Sequence, residues 1–221
     1  MRRIVVIATP SIEGRLDAPY VYALTETIKA GAKHDIEFMP LFVIRDALIQ
    51  NARNDLLAMA YQSPATDMLW IDSDIVWKPE QALRLLSHPV DVVGGTYPHK
   101  HEAESYVVKA DPAALVADAN GLMKVHGLGC GFLRMSRKAM THLWDTSPAY
   151  TLHGKERRWA FDVRPMRGEL ISEDIHVCMR LAEGGMPTFL DPSITCDHIG
   201  SKTYSGNFSD WAERLRFSGK H

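Results

Sequence analysis

Cysteine is scarce in this chain. Its 221 residues include three cysteines, Cys130, Cys178 and Cys196, with no Cys-x-x-Cys spacing among them. That excludes a disulfide framework and a four-thiolate zinc site, and it fits a reducing compartment. Long apolar runs are missing too: none approaches the roughly 20 residues of a membrane span. The opening Met1-Arg2-Arg3-Ile4-Val5-Val6-Ile7 is too short an apolar stretch for a signal peptide and reads directly as a strand. A cytoplasmic protein with no membrane partner is expected. Charge of either sign is not in excess, with 25 Lys and Arg against 27 Asp and Glu and a formal charge of -2. Bulk charge therefore cannot hold nucleic acid, although a local basic patch stays open. There is no Gly-Lys-Ser/Thr phosphate loop, no Gly-x-Ser-x-Gly elbow and no Gly-x-Gly-x-x-Gly fingerprint.

What is present is an alternation of short apolar runs and amphipathic stretches. Ile4-Val5-Val6-Ile7-Ala8 is continuous and ends at Thr9-Pro10, as in a strand buried on both faces of a parallel sheet. Residues 19–30 read as a helix with Pro19 near its start and Gly31 past its end. Residues 36–44 read as a strand, and 47–62 as a helix with Leu48, Ala52, Leu56 and Met59 at helical spacing. Met68-Leu69-Trp70-Ile71 is another buried strand, Pro79 opens a helix through Leu86, and Asp91-Val92-Val93-Gly94-Gly95 resumes the sheet. The expected fold class is α/β, a mostly parallel twisted sheet flanked by helices. The second half is less regular. It offers a helix over 112–119, a glycine-punctuated strand over 127–135 and a helix through Trp144. A long polar connection over 147–169 follows, then a helix over 173–183, a strand over 187–194 and a polar tail from Gly200.

Asp72 and Asp74 flank Ser73 at the end of a buried strand. Residues i and i+2 of an extended segment project to one side, so both carboxylates can converge on one cation. In an open α/β sheet, ligands sit beyond the carboxyl ends of the strands, where this pair lies; the plainer alternative is a solvated acidic turn. Ser172-Glu173-Asp174 reads first as an ordinary helix start, with an N-cap and two acids in the first turn. Its sharper reading makes Asp174 a general base or charge stabiliser held at a rigid helix end. His198 follows the last strand and matters only if the fold carries it to the aspartate pair. Carboxylate, imidazole and phosphate oxygens together would suit Mn²⁺ well and Mg²⁺ somewhat less well. Arg53, beside Asn54, is shaped to clamp a phosphate or carboxylate, or is an exposed helix charge. Gly127, Gly129 and Gly131 alternate, a spacing that lets backbone approach a ligand. Residues 153–167 hold Lys155, Arg157, Arg158, Arg164 and Arg167 against Glu156 and Asp162, with Trp159 and Phe161 interleaved. Such a loop either grips a phosphate backbone or is merely solvated.

In this order the features resemble the GT-A class of nucleotide-sugar glycosyltransferases. Ile4 to Thr9 is similar to the first strand, which meets the nucleotide base, and Ala52-Arg53-Asn54 to the helix motif near the diphosphate. Trp70-Ile71-Asp72-Ser73-Asp74 is similar to the Asp-x-Asp signature, Ser172-Glu173-Asp174 to the later Glu-Asp motif, and Asp197-His198-Ile199-Gly200 to the late metal-site histidine. The resemblance spans residues 4–200. It is closest to small stand-alone family-two and Anp1-like transferases, several of them phage-encoded, although Anp1-like enzymes are usually membrane-anchored.

The resemblance implies metal-dependent transfer of a hexose from a UDP- or GDP-linked sugar to an acceptor hydroxyl. Asp74 and His198 would hold Mn²⁺ or Mg²⁺, with Asp72 touching the metal or the ribose. Thr9, Arg53, Asn54, Asp72 and Lys202 would contact the donor, and Asp174 with Glu173 would carry the catalytic step. Residues 1–98 would form the donor half of one domain, 99–200 the acceptor half, and 201–221 a flexible tail or lid. The acceptor would be a saccharide or protein hydroxyl, or alternatively a hydroxymethylated pyrimidine in DNA. Two other readings compete. A sugar nucleotidyltransferase needs a glycine-rich basic loop after its first strand, whereas Thr9-Pro10-Ser11-Ile12-Glu13-Gly14 has one glycine and an acid. A non-catalytic module of the same fold would be expected to have lost at least one of Asp72, Asp74, Asp174 and His198.

Overall fold

The computed structural model describes residues 2–112, 115–166 and 168–217. The first half runs β1 (Arg3–Ser11), α1 (Ala18–Ala32), β2 (Ile36–Ile44), α2 (Ile49–Tyr61), β3 (Asp67–Ile71), β4 (Ile75–Val76), α3 (Pro79–Ser87) and β5 (Val92–Thr96). Then come β6 (Val108–Lys109), β7 (Met123–Val125), β8 (Gly127–Leu128), β9 (Phe132–Ser136) and α4 (Arg137–Thr146). The chain continues through β10 (Ala149–Leu152), β11 (Lys155–Arg158), β12 (Arg164–Met166), β13 (Glu169–Ile171) and α5 (Glu173–Glu183). It ends with β14 (Thr188–Thr195), β15 (Asp197–Ile199), β16 (Thr203–Tyr204) and α6 (Phe208–Phe217).

The central sheet has the order β2-β1-β3-β9-β5-β14-β7. Strands β2, β1, β3, β5 and β14 run one way and β9 and β7 the other, so the sheet is mostly parallel in direction, as expected. The continuous apolar runs are explained by burial on both faces. Val6, Ala8, Met68 and Trp70 point into the core shared with α2, α4, α5 and α6. Val5, Ile7, Leu69 and Ile71 point into the core shared with α1 and α3. Each of the Val, Ile, Leu and Met side chains among them contributes about 1.5–3 kcal/mol by leaving water, which fixes the register of both strands, since a slip of one residue exchanges the two faces. Cys130, Cys178 and Cys196 are buried and free, and no helix among the described residues is long and apolar enough to cross a membrane.

Three expectations change. The polar connection over 147–169 contains the β10–β11 hairpin and the first strand of a second, β12–β13. The first hairpin turns on His153 and Gly154, both at positive φ (49° and 73°), the two-residue turn that suits strand twist but is usually written with Asn or Asp before the Gly. The tail also folds: β16 pairs with β15, and α6 buries Phe208 and Ala212 against the main core. Residues 218–221 lie outside the described residues. So do residues 113 and 114 of the expected 112–119 helix, whose described residues 115–118 are not helical.

The end of the sheet opposite the strands' carboxyl ends is pinned by charge. Asp67, at the start of β3, accepts from Arg3 at 2.7 and 2.8 Å and from Arg134 Nε at 2.7 Å, tying three neighbouring strands together. Burial alone would raise the Asp67 pKa, but the two guanidinium groups outweigh it and hold the carboxyl below its ordinary value. Asp67→Asn is expected to cost about 3–5 kcal/mol in urea denaturation, because it strands buried arginine charge. The wild-type advantage is present above the ordinary carboxylate range, near pH 3.9, and is lost as pH falls through the lower native value. The gap between wild type and variant should therefore close in acid; a gap that persists there would remove the ion cluster as its cause.

Candidate active site

The aspartate pair lies where the chain leaves β3. The Asp72 N–H donates to the Gly131 carbonyl at 3.2 Å, and the Ile75 N–H closes a turn onto the Asp72 carbonyl at 3.0 Å. This turn sends Asp72 and Asp74 to different partners. Asp72 faces inward, where Arg53 Nη2 donates to its Oδ2 at 3.1 Å. Asp74 faces the cleft, where Lys100 Nζ donates to its Oδ2 at 2.6 Å and His198 Nε2 stands 3.4 Å away. Strand β15 carries His198 there by pairing antiparallel with β4, placing His198 opposite Ile75.

Arg53 is 3% exposed and joins the aspartate pair to the start of α5. Its Nε donates to Glu173 Oε1 at 3.1 Å, its plane lies 5.6 Å from the Trp70 ring centroid, and its Nη1 has no hydrogen-bond partner. Glu173 is thus a buried counter-charge. Asp174, one residue on, is half-buried; its Oδ1 accepts from the Ser172 hydroxyl and, at 2.7 Å, from the Ile175 N–H. Asn54 is fully buried, its Oδ1 accepting from the N–H groups of Ala160 and Phe161 at 2.9 Å and its Nδ2 donating to the Phe161 carbonyl at 3.0 Å. Its side chain is spent on holding the loop after β11. Thr9 is also fully buried, with its hydroxyl bonded to that of Tyr20. Lys202 is exposed, pairs with Glu102 at 2.8 Å and lies over the Tyr204 ring.

Two adjoining cavities open beside Asp74. One, of about 390 Å³, is lined by Ser11, Glu13, Arg15, Ser73, Asp74 and Lys100 among others. The second, of about 220 Å³, is lined by Ser11, Asp46, Ala52, Asp72 and Asp74 among others. They share Ser11, Ile12, Ser73 and Asp74, and so lie at the carboxyl ends of β1 and β3. A larger cavity, of about 570 Å³, lies between α5 and the β12–β13 hairpin, and none of the candidate acids lines it.

The donor set can be tested against a cation. Burial disfavours the Asp74 charge, but the contacts with His198 and Lys100 outweigh it and hold the carboxyl at about 2. His198 Nδ1 lies 2.9 Å from the Pro98 carbonyl. A carbonyl only accepts, so Nδ1 carries a proton; a proton on Nε2 as well makes the contact that favours the Asp74 charge, and when a cation displaces that proton the Nε2 lone pair faces the same carboxylate. Two converging lone pairs are what a cation requires, and the outer hydrogen bond fixes the tautomer. These two side chains fit a divalent ion that takes its remaining oxygens from ligand and water. No cluster of three protein ligands forms among the described residues, and Asp72, which lines the smaller cavity, is held by Arg53.

Two features read differently in three dimensions. A Cβ on Gly129 or Gly131 would stand 2.4–2.5 Å from Tyr97 atoms, so those glycines make room for a buried tyrosine and not for a ligand. Tyr97 accepts from the Gly131 N–H at 3.0 Å and meets the His198 ring edge-on at 5.0 Å. Burial, then the Asp72 and Asp174 charges, push its hydroxyl well up, keeping it protonated. The basic run is largely spent internally. Arg157 pairs with Asp55 at 2.5 Å, Arg158 with Glu156 at 2.7 Å, and Arg164 with Asp162 at 2.5 Å; Arg167 lies outside the described residues. Sequence reasoning missed both Tyr97 and Lys100. The alternating glycines were the only signal for the tyrosine, and nothing local marked the lysine.

No family model matches the chain, and no curated protein matches it. Among solved structures, A197 from STIV is similar over 93% of this chain and 94% of its own, with a TM-score of 0.58 and 17% identity. The catalytic domain of Drosophila beta1,4-galactosyltransferase 7, solved with xylobiose, is similar over 96% of this chain and 79% of its own, with a TM-score of 0.51 and 11% identity. At these identities the likeness is one of fold, and it matches the GT-A-like α/β domain that the sequence led us to expect.

Arg53→Met should leave the Glu173 carboxylate buried without a counter-charge, at a cost of about 3–5 kcal/mol. Adding Glu173→Gln should recover part of that loss in urea melts. A double variant no more stable than the single one would show that Arg53 matters through its packing on Trp70 instead.

Proposed function

We propose that this chain is a glycosyltransferase that moves a hexose from a nucleoside-diphosphate sugar to an acceptor hydroxyl. The observation that carries the reading is the convergence of Asp74 and His198, from β15, beside a cleft at the carboxyl ends of β1 and β3. The fold shared with a galactosyltransferase catalytic domain supports it. So does the segment after β1, where the single basic residue, Arg15, is paired with Glu13; a triphosphate-binding nucleotidyltransferase would need that loop basic. With so much of the basic run paired internally, a saccharide or protein hydroxyl is favoured over DNA as acceptor.

Asp74 and His198 would hold Mn²⁺ or Mg²⁺, which when bound supplies positive charge against the departing diphosphate. The protein's own part is positional. The Pro98 carbonyl fixes the His198 ring, so Nε2 faces the cleft. Arg53 holds Asp72 and Glu173 in place, linking the end of β3 to the first turn of α5. Asp174, anchored through Oδ1 by Ser172 and Ile175, would take the acceptor hydroxyl proton at its other oxygen. Glu173, neutralised by Arg53, serves as scaffold in this scheme. The ordered α6 leaves the β15–β16 tip with Lys202, and not the whole tail, as the element able to close over a donor.

Thermal stability with UDP, GDP, UDP-glucose and GDP-mannose, each with and without Mn²⁺, tests the donor. A ligand at a hundred times its dissociation constant should add about 2.7 kcal/mol. The shift should need nucleotide and metal together and should vanish in Asp74→Ala. Turnover of the labelled sugar nucleotide should release nucleoside diphosphate. Release of pyrophosphate would replace the reading with nucleotidyl transfer, and binding without turnover on any acceptor would make the chain a binding module.

A further inference from the structure

Lys100 stands at the mouth of the cleft with its ammonium 2.6 Å from Asp74 Oδ2, the oxygen that also faces His198 Nε2. It therefore sits on the carboxylate oxygen that a cation held by Asp74 and His198 would use. Its stem crosses Gly200, where a Cβ would stand 3.1 Å from the lysine Cδ. Its loop is held to the β15–β16 tip by the Glu102–Lys202 pair. Both Lys100 and Asp74 line the 390 Å³ cavity, and the lysine side chain is about one-third exposed (36%). An ammonium on a flexible stem in that position can swing without disturbing the core.

We propose that Lys100 is a placeholder cation. It neutralises Asp74 while the cleft is empty, is released when a divalent ion takes that carboxylate, and then pairs with the donor's diphosphate. The proposal rests on the nucleotide-sugar reading and goes beyond it by naming the side chain that couples metal loading to donor binding. Two positive charges cannot share Asp74 at close range, so lysine and metal compete for it. Once freed, the ammonium is a point charge within reach of the cavity, well suited to a phosphate oxygen. Metal and nucleotide thereby strengthen each other's binding by the same factor.

The test measures Mn²⁺ binding to the nucleotide-free chain by electron paramagnetic resonance, and UDP and GDP binding at saturating Mn²⁺ by calorimetry. Wild type is compared with Lys100→Met and with Lys109→Met, whose ammonium pairs with Glu169 instead. Lys100→Met should bind Mn²⁺ about threefold tighter, having lost its competitor, and should bind the nucleotide about tenfold weaker, having lost a charged hydrogen bond. Lys109→Met should change neither. Unchanged or weaker Mn²⁺ binding in Lys100→Met, or undiminished nucleotide binding, would overturn the proposal. A wild-type chain that binds Mn²⁺ but neither nucleotide would overturn the donor reading and the second half of the proposal with it. The metal arm would still decide whether Lys100 competes for Asp74.

Discussion

A single buried guanidinium, that of Arg53, holds the site together. Asp72 leaves β3 and Glu173 opens α5, two points 101 residues apart in sequence, and Arg53 reaches both at 3.1 Å. The arrangement works because Arg is planar and forked, so one side chain can satisfy two carboxylates in different directions. Without that cation, two acids would sit in a low-dielectric pocket beside Trp70, where repulsion and desolvation act in the same direction. Asp174 and Asp74 then inherit their places from neighbours one and two residues away. The two acids that Arg53 grips thus set where the chain places the other two.

Strand β3 shows how one short segment serves two purposes. Its start, Asp67, is saturated by Arg3 and Arg134, while its exit delivers Asp72 and Asp74. The four residues between, Met68 to Ile71, are fully buried. A buried ion cluster lies at one end of the sheet and the candidate site at the other, joined by a rod that cannot slip in register without inverting both faces.

Much of this was legible in the order of residues. The unbroken apolar runs of β1 and β3 announced strands covered on both sides, and the acids placed immediately after the second run lie at the edge where two cavities open. His198 could be suspected but not located, because its approach to Asp74 depends on the β4–β15 pairing, a contact between segments more than 120 residues apart. The β10–β11 hairpin was hidden by a turn that uses His153 where Asn or Asp is usual. The alternating glycines were noticed and misassigned: a chain without coordinates cannot tell room made for a ligand from room made for Tyr97. Likewise the charge of the basic run could be counted, while the pairing of Arg157 with Asp55, on the distant α2, could not.

The docking of α6 has a consequence for the order in which the molecule is completed. Glu104, in the loop that also carries Lys100, is gripped by Arg214, and its carbonyl accepts from Trp211 Nε1 at 3.1 Å. Tyr106 packs edge-on against Phe208 and Trp211. Synthesis runs from the amino terminus, so the strands that build both cores emerge before these anchors do. The wall of the cleft bearing Lys100 is a part of the molecule that waits for α6, more than 100 residues further along, to leave the ribosome.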